Sequence, residues 1–340
     1  YRVGGDIMVS CSDDNKVYYL EELMLFGILR RPFYRASGKI SAPMVMRNPR
    51  FIASVRQGEA GFSLGRAIFL LRERLSMSLS ENLSSVTCGM NRAMCLGEKN
   101  GIPPAVYDSM VKSGTVHVLV ISGFHVGIVF FACTLFFKLL RIPRRIRLLL
   151  SVFFLVTYCF IAGAAVPAVR ATIMCAFFIF GSFIKRPVNA KDAFFAAALL
   201  ILLVSPQEVF SVSFQLSFLS VGSILWLYPV LKSFFKVDGV KNIFLKPALK
   251  GFFVSFSSWL GTSWFIAYHF RIISPVALLA NLVIIPLAAV ITVLGLVTAV
   301  LGFLSPNLTL YFAYADEAVT AALLRLNSLF ISLPWAYLYL

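Results

Sequence analysis

The sequence predicts an all-α polytopic membrane protein, with about eight transmembrane helices behind a β-rich N-terminal region that does not span. Three observations carry this. Apolar residues make up 59% of the chain and charged residues only 14%, so the polypeptide cannot cover its own surface with polar groups, and lipid must solvate much of it. Long apolar runs dominate from Val116 onward. The first 60 residues instead show short alternating runs bounded by turn residues.

In residues 1–60, Gly5-Asp6 introduces the alternating run Ile7-Met8-Val9. Val17-Tyr18-Tyr19 and Gly38-Lys39-Ile40 read as further strand ends. Residues 61–112 form a second region, an amphipathic helix and linker. Over 62–80, Leu64, Ile68, Leu71 and Leu75 share one helical face while Arg66, Arg72 and Arg74 lie off it. Such a helix either rests on a membrane surface or packs on a folded domain. Residues 113–340 form the membrane region. Spans are expected near 115–137, 148–164, 168–184, 192–205, 209–230, 251–268, 274–303 and 308–332. The run 192–205 is shorter than the ~20 residues of a full crossing, and Pro286 interrupts 274–303. Short and broken helices suit buried or cavity-lining positions.

Charge sets the orientation. Residues 113–340 hold 16 Lys/Arg against 5 Asp/Glu. The basic residues cluster in alternate loops: Lys138 to Arg147, then Lys185, Arg186 and Lys191, then Lys232 to Lys250. The intervening loops, 163–167, 205–209 and 269–274, carry a single basic residue, Arg271. Short basic loops stay in the cytoplasm, so the first span runs from outside to inside and residues 1–112 are extracytoplasmic. The chain opens at Tyr1 in mid-pattern and reads as a piece of a longer protein. Cys133, Cys159 and Cys175 are expected to be packing residues; Cys88 and Cys95 would pair only in an oxidising space.

Three groups of residues could carry chemistry. The first is His117 with Ser122, Gly123 and His125. On a continuous helix the two histidines would sit about 80° apart. With three histidines in the chain and no thiol or carboxylate partner set nearby, no metal site is expected. Ser122 and His125 read either as close helix packing with an interhelical hydrogen bond or as the dyad of an intramembrane serine hydrolase. The second is Arg170 in Pro167-Ala168-Val169-Arg170-Ala171, which must snorkel to the interface or serve a pore or an anion. The third is Gln215 and Ser217 with Asn281, polar groups among apolar neighbours that need partners across helices and together could line a conduit. Asp316, Glu317 and Arg325 allow a buried charge pair in the last span. No P-loop is present, and the ligand supply for a two-metal nuclease is missing. Neither a cofactor nor a metal is called for. A small-solute transporter would predict internal inverted repeats, and none is convincing.

Several of these motifs fall in one order. They run from Leu96-Gly97-Glu98 and Gly101-Ile102-Pro103-Pro104 through Ser113-Gly114-Thr115-Val116-His117 to Ile121-Ser122-Gly123-Phe124-His125-Val126-Gly127. Ala162-Gly163, Pro167 to Ala171, Phe214-Gln215-Leu216-Ser217-Phe218 and Asn281 with Ile285-Pro286 follow. In this the chain resembles the ComEC competence proteins, bacterial inner-membrane channels for DNA uptake, with Glu98 where Asp is usual and Phe124 where Leu is usual. The resemblance covers residues 96 to about 290. It implies that residues 1–60 are an extracytoplasmic OB-like remnant, and that a metallo-β-lactamase-like domain carried by many members is absent from this stretch. It further implies a channel, not an enzyme, passing single-stranded DNA across the cytoplasmic (inner) membrane during transformation. Its partners would be the lipid bilayer, a DNA-receptor protein outside, and a motor ATPase or single-strand-binding protein inside. His117, Ser122, Gly123, His125, Arg170, Gln215, Ser217 and Asn281 would be the polar membrane residues of the channel. Arg30, Arg31, Arg35 and Lys39 would form a DNA-docking surface, with Phe33, Tyr34 and Phe51 available to stack bases.

Overall fold

The computed structural model describes residues 7–10, 22–26, 29–30, 44–47, 51–56 and 64–340, except Asn100, residues 185–187 and Phe244. The chain divides into two compact units, 1–70 and 71–340.

The first unit is β-rich, as expected. Strands β1 (Ile7–Ser10), β3 (Leu29–Arg30) and β4 (Met44–Arg47) form one sheet in the order β1-β4-β3. Strand β1 pairs parallel to β4, and β3 pairs antiparallel to it. Strands β2 (Glu22–Phe26) and β5 (Phe51–Arg56) pair antiparallel with an irregularity at Glu22/Leu23. The expected strand ends at 17–19 and 38–40 lie outside the described residues, as do Arg31, Phe33, Tyr34, Arg35 and Lys39.

Helix α1 (Leu64–Asn82) forms where the 3.6-residue period placed it, but a different face is buried over its second half. Leu71 is 42% exposed, while Ser76, Ser78 and Leu79 are buried. The reason lies in the partners: Ser76 donates to Glu98 and Ser78 rests on Gly302. The following α2 (Ser85–Asn91) and a π-helical turn (Arg92–Leu96) occupy sequence that reads as linker. They are the opposite of surface chain, because Met90, Ala93, Met94 and Cys95 are fully buried. Gly97 ends this turn at φ 76, and a β-carbon there would lie 2.7 Å from the Ala162 carbonyl oxygen. Both the backbone conformation and the close approach therefore require glycine. Cys88 and Cys95 are buried free thiols and form no disulfide.

Helix α3 (Pro104–Lys112) begins on a proline whose missing N–H is no loss in a first turn. Eight longer helices follow near the expected spans, the first starting at Gly123 rather than at 115: α4 (Gly123–Leu139), α5 (Arg144–Ile161), α6 (Val166–Phe183), α7 (Ala190–Val204), α8 (Val212–Phe234), α9 (Leu245–Phe270), α10 (Ala277–Leu301) and α11 (Pro306–Ile331). Among the described residues, α6, α8 and α10 are long and apolar enough to cross a membrane by length and composition, and α4 is a shorter apolar helix. Helix α7, with 15 residues, spans about 22 Å at 1.5 Å per residue, less than the ~30 Å hydrocarbon core. Pro286 does not break α10, which runs on past it. Helices α10 and α11 pair, as do α8 and α9, while α4, α5 and α6 form a three-helix group. That group shares a core of Ile121, Val126, Leu155, Tyr158, Cys159 and Ala168. Large apolar side chains such as Phe131, Phe153, Phe180, Leu203 and Phe234 are exposed on the helices, the outward surface that a lipid solvent requires.

The basic loops have a local order of their own. In the α8–α9 connection, Asp238 accepts an ion pair from Lys232 at 2.7 Å and faces Lys250 at 3.9 Å, while Lys246 donates to its carbonyl. The hydrogen bond from Lys232 holds the Asp238 carboxyl below its usual range.

Candidate functional site

The first expected group rearranges. His117 lies in a short 3-10 turn, Val116–Leu119, and the chain is extended at Val120 and Ser122 before α4 begins at Gly123. The two histidines are thus not on one helix, and the angle expected between them does not apply. His117 is exposed, and its Nδ1 meets the Gly114 carbonyl at 3.2 Å. Ser122 instead caps α4. Its backbone N–H donates to His125 Nδ1 at 3.2 Å, and its hydroxyl lies 3.0 Å from the same nitrogen. The Ser122–His125 contact is a local helix-capping arrangement, with His125 buried and its Nε2 unpartnered. Among the described residues no group orients the imidazole from its far side, as a dyad base requires.

Arg170 does not snorkel. It sits in the second turn of α6 with 6% of its surface exposed. Its Nη1 donates to the Ser217 carbonyl of α8, and its guanidinium lies over the Phe218 ring at 5.6 Å. A β-carbon on Gly123 would stand 3.4 Å from Arg170 Nη2 and 3.3 Å from Ala171 Cβ. The α4 start, α6 and α8 therefore meet at Gly123, Arg170 and Ser217. Among the described residues no carboxylate pairs with Arg170.

Gln215 lies two residues from Ser217 on α8, half-buried, and donates to the Val209 carbonyl at 2.9 Å. It lines an open cleft of about 520 Å³ between α8 and α9 with Phe218, Gly222, Ser223 and Trp264. Asn281 belongs elsewhere. It donates from α10 to Ser255 Oγ of α9 at 3.0 Å, and its Oδ1 is buried without a partner. The structure thus brings Gly123, Arg170 and Ser217 together, with Gln215 nearby in sequence on α8, whereas Asn281 bonds to Ser255 of α9 instead.

The expected pairing of Asp316 or Glu317 with Arg325 is not formed, and Arg325 is exposed. Both acids turn to α2 instead. Asn91 donates to Asp316 Oδ2 at 2.9 Å, and Thr320 donates to Oδ1 at 3.4 Å. Glu317 accepts from the Ser84 backbone N–H at 2.6 Å, from the Ser84 hydroxyl at 2.9 Å and from the Thr87 hydroxyl at 2.6 Å. Nearby, Glu98 pairs with Arg72 at 3.1 Å and accepts from Ser76. Asn91 was not singled out by sequence; it is the last residue of a short helix and is followed by Arg92, so nothing in its neighbourhood marks it. Among the described residues there is no cluster of three or more metal-ligating side chains.

Comparison with known proteins places these elements. Residues 94–340 match the family described as "Competence protein". The chain is 28% identical over 236 residues to ComE operon protein 3 of Bacillus subtilis, covering 69% of this chain and 29% of that protein. It is 27% identical over 213 residues to Recombination protein 2 of Haemophilus influenzae, covering 58% of this chain and 26% of that one. Competence protein ComA of Neisseria gonorrhoeae is 29% identical over 146 residues, 41% of this chain and 21% of its own length. The chain therefore spans less than a third of these relatives. No solved structure matches it. The family match covers more than half of the chain, from the buried π-helical turn to the last residue, so this membrane protein belongs to the competence protein family.

Proposed function

We propose that this chain forms the membrane part of a channel that passes single-stranded DNA across the cytoplasmic membrane during natural transformation. The observation that carries the reading is Arg170, buried at the junction of α4, α6 and α8 with no carboxylate partner among the described residues. A charge is retained inside apolar helices at high cost unless it meets a ligand, water or a partner, and a polyanion is the ligand that a lone cation suits. Family membership and the names of the relatives, one a recombination protein and another a competence protein, support the same class.

In this reading α4 to α11 all cross the inner membrane, and the basic loops around Arg144 and Lys241 face the cytoplasm, where they meet the entering strand. Residues 1–60 act as an extracytoplasmic OB-like docking domain, with Arg30, Arg31, Arg35 and Lys39 toward DNA. Residues 61–112 connect it to the channel domain, 113–340. A receptor outside and a motor ATPase or single-strand-binding protein inside complete the system. The hydrolase alternative at Ser122 and His125 gains no support from the family or from the relatives. Replacing Arg170 or Gln215 by Ala should lower entry of labelled DNA at unchanged membrane expression. Equal entry in both variants would remove these residues from the path.

A further inference from the structure

The junction that holds Arg170 is built from more than one positive element. Helix α4 starts at Gly123 and runs for 17 residues; beyond the Ser122–His125 cap, its first turn still presents the Gly123 and Phe124 N–H groups, which lie too early to bond within the helix, together with the positive end of the helix dipole. Arg170 approaches this turn from α6, close enough that a methyl group on Gly123 would stand 3.4 Å from Nη2. Arg170 as a whole residue keeps only 6% of its surface exposed. Of its nitrogens, Nη1 is engaged by the Ser217 carbonyl, while Nε is buried and has no partner. The hydroxyl of Ser217 is also buried and unpartnered. Phe124, the next residue of the turn, is 41% exposed, so the turn lies at the surface of the helix group.

Two buried donors without acceptors, on Arg170 and on the Ser217 whose carbonyl it binds, beside a helix N-terminus that Arg170 Nη2 approaches, describe the complement of an oxyanion. Burial excludes competing water and strengthens each charge-assisted bond. We propose that the first turn of α4 and Arg170 form a phosphate site that takes one phosphodiester group of the passing strand at a time. The proposal rests on the DNA-transport reading for the source of that phosphate, while the site itself stands on this geometry. Gly123 is required because a side chain there would press on Ala171 Cβ at 3.3 Å and on Arg170 Nη2 at 3.4 Å and push the guanidinium away from the turn. An anionic lipid headgroup carries the same chemistry, but Arg170 is enclosed by three helices, which favours a threaded strand over a bilayer lipid.

The test uses the full chain purified in detergent, with three probes: a short oligothymidylate, the same oligomer with an uncharged methylphosphonate backbone, and phosphatidylglycerol. Inorganic phosphate serves as competitor. Wild-type protein should bind the charged oligomer, with phosphate competing. Arg170→Gln and Gly123→Ala should each weaken binding about tenfold or more, the scale of one charge-assisted bond lost, and binding of the methylphosphonate oligomer should not depend on Arg170. Arg170→Lys should restore part of the affinity. Gly123→Ala keeps the charge, and so covers the case in which Arg170→Gln does not fold. Equal binding of both the oligomer and inorganic phosphate by wild type and both variants would overturn the site, and so would dependence on Arg170 seen with phosphatidylglycerol alone. If inorganic phosphate binding depends on Arg170 while oligomer binding does not, the site stands and the transport reading falls. Loss of DNA entry in Arg170→Gln with unchanged phosphate and oligomer binding would leave transport standing and remove the site.

Discussion

Asn91 donates to Asp316 at 2.9 Å, and neither side chain has exposed surface. The two residues are 225 positions apart, so this bond ties α2 to α11 within the second unit. A carboxyl removed from water needs its hydrogen-bond partner more than an exposed one does. Replacing Asn91 by Ala should therefore cost about 1–3 kcal/mol, the usual penalty of an orphaned buried polar group. Asp316→Asn, which keeps an acceptor oxygen, should cost less. Unfolding of the purified variants in mixed micelles measures both. Equal losses would show that the bond is not what holds the pair.

Gly295 faces the same amide. A β-carbon on Gly295 would overlap Asn91 Oδ1, so Gly295→Ala should destabilise by about 1–3 kcal/mol through overpacking. Combining it with Asn91→Ala should relieve the overlap, making the double variant less destabilised than the sum of the singles. Additive losses would place the strain elsewhere.

Glu317 accepts three hydrogen bonds from Ser84 and Thr87. Glu317→Gln keeps one acceptor oxygen and removes the charge, so α2 should loosen. Cys88, on that helix and buried, reports this: its reaction with a small maleimide should speed up at least severalfold. An unchanged rate would mean that α2 is held by its apolar contacts alone.

Asp238 behaves oppositely because it is exposed. Its carboxyl is held low by Lys232, so whatever stability the pair contributes is present above the unfolded carboxyl's pKa of about 4 and is lost as pH falls through the lower folded value. Water screens such a pair. Asp238→Asn should leave the melting temperature at neutral pH unchanged within error, and a clear drop would mean that the α8–α9 loop is load-sensitive.

The proposed orientation has its own reporter. Lys241 and Gln207 are exposed in the α8–α9 and α7–α8 connections. In intact cells an impermeant maleimide should label Gln207→Cys and spare Lys241→Cys, measured against the unmodified parent. The reverse pattern would invert the topology.

The helices were legible because apolar runs bounded by charge or proline are local signals. Pro104 and Pro306 mark helix starts, and Arg144 and Leu245 fall where the basic loops give way to apolar sequence. The site was legible only in part. Arg170, Ser217 and Gly123 were singled out one by one, as polar or small residues in apolar surroundings, but their meeting depends on how α4, α6 and α8 pack. The histidines were misjudged because Ser122 was read as part of a span, although a Ser with His125 three residues on also suits a helix cap. Asn91 was missed, and Asp316 was given the wrong partner, because the bond between them crosses most of the chain and local spacing carries no trace of it.

The most direct test follows labelled DNA from a protected outer compartment into the cytoplasm, in competent cells with and without this protein, with membrane expression checked in parallel. The account predicts that entry is lost without the protein, returns with the wild type, and returns only weakly with Arg170→Ala. Entry at wild-type levels in cells that lack the protein would contradict it.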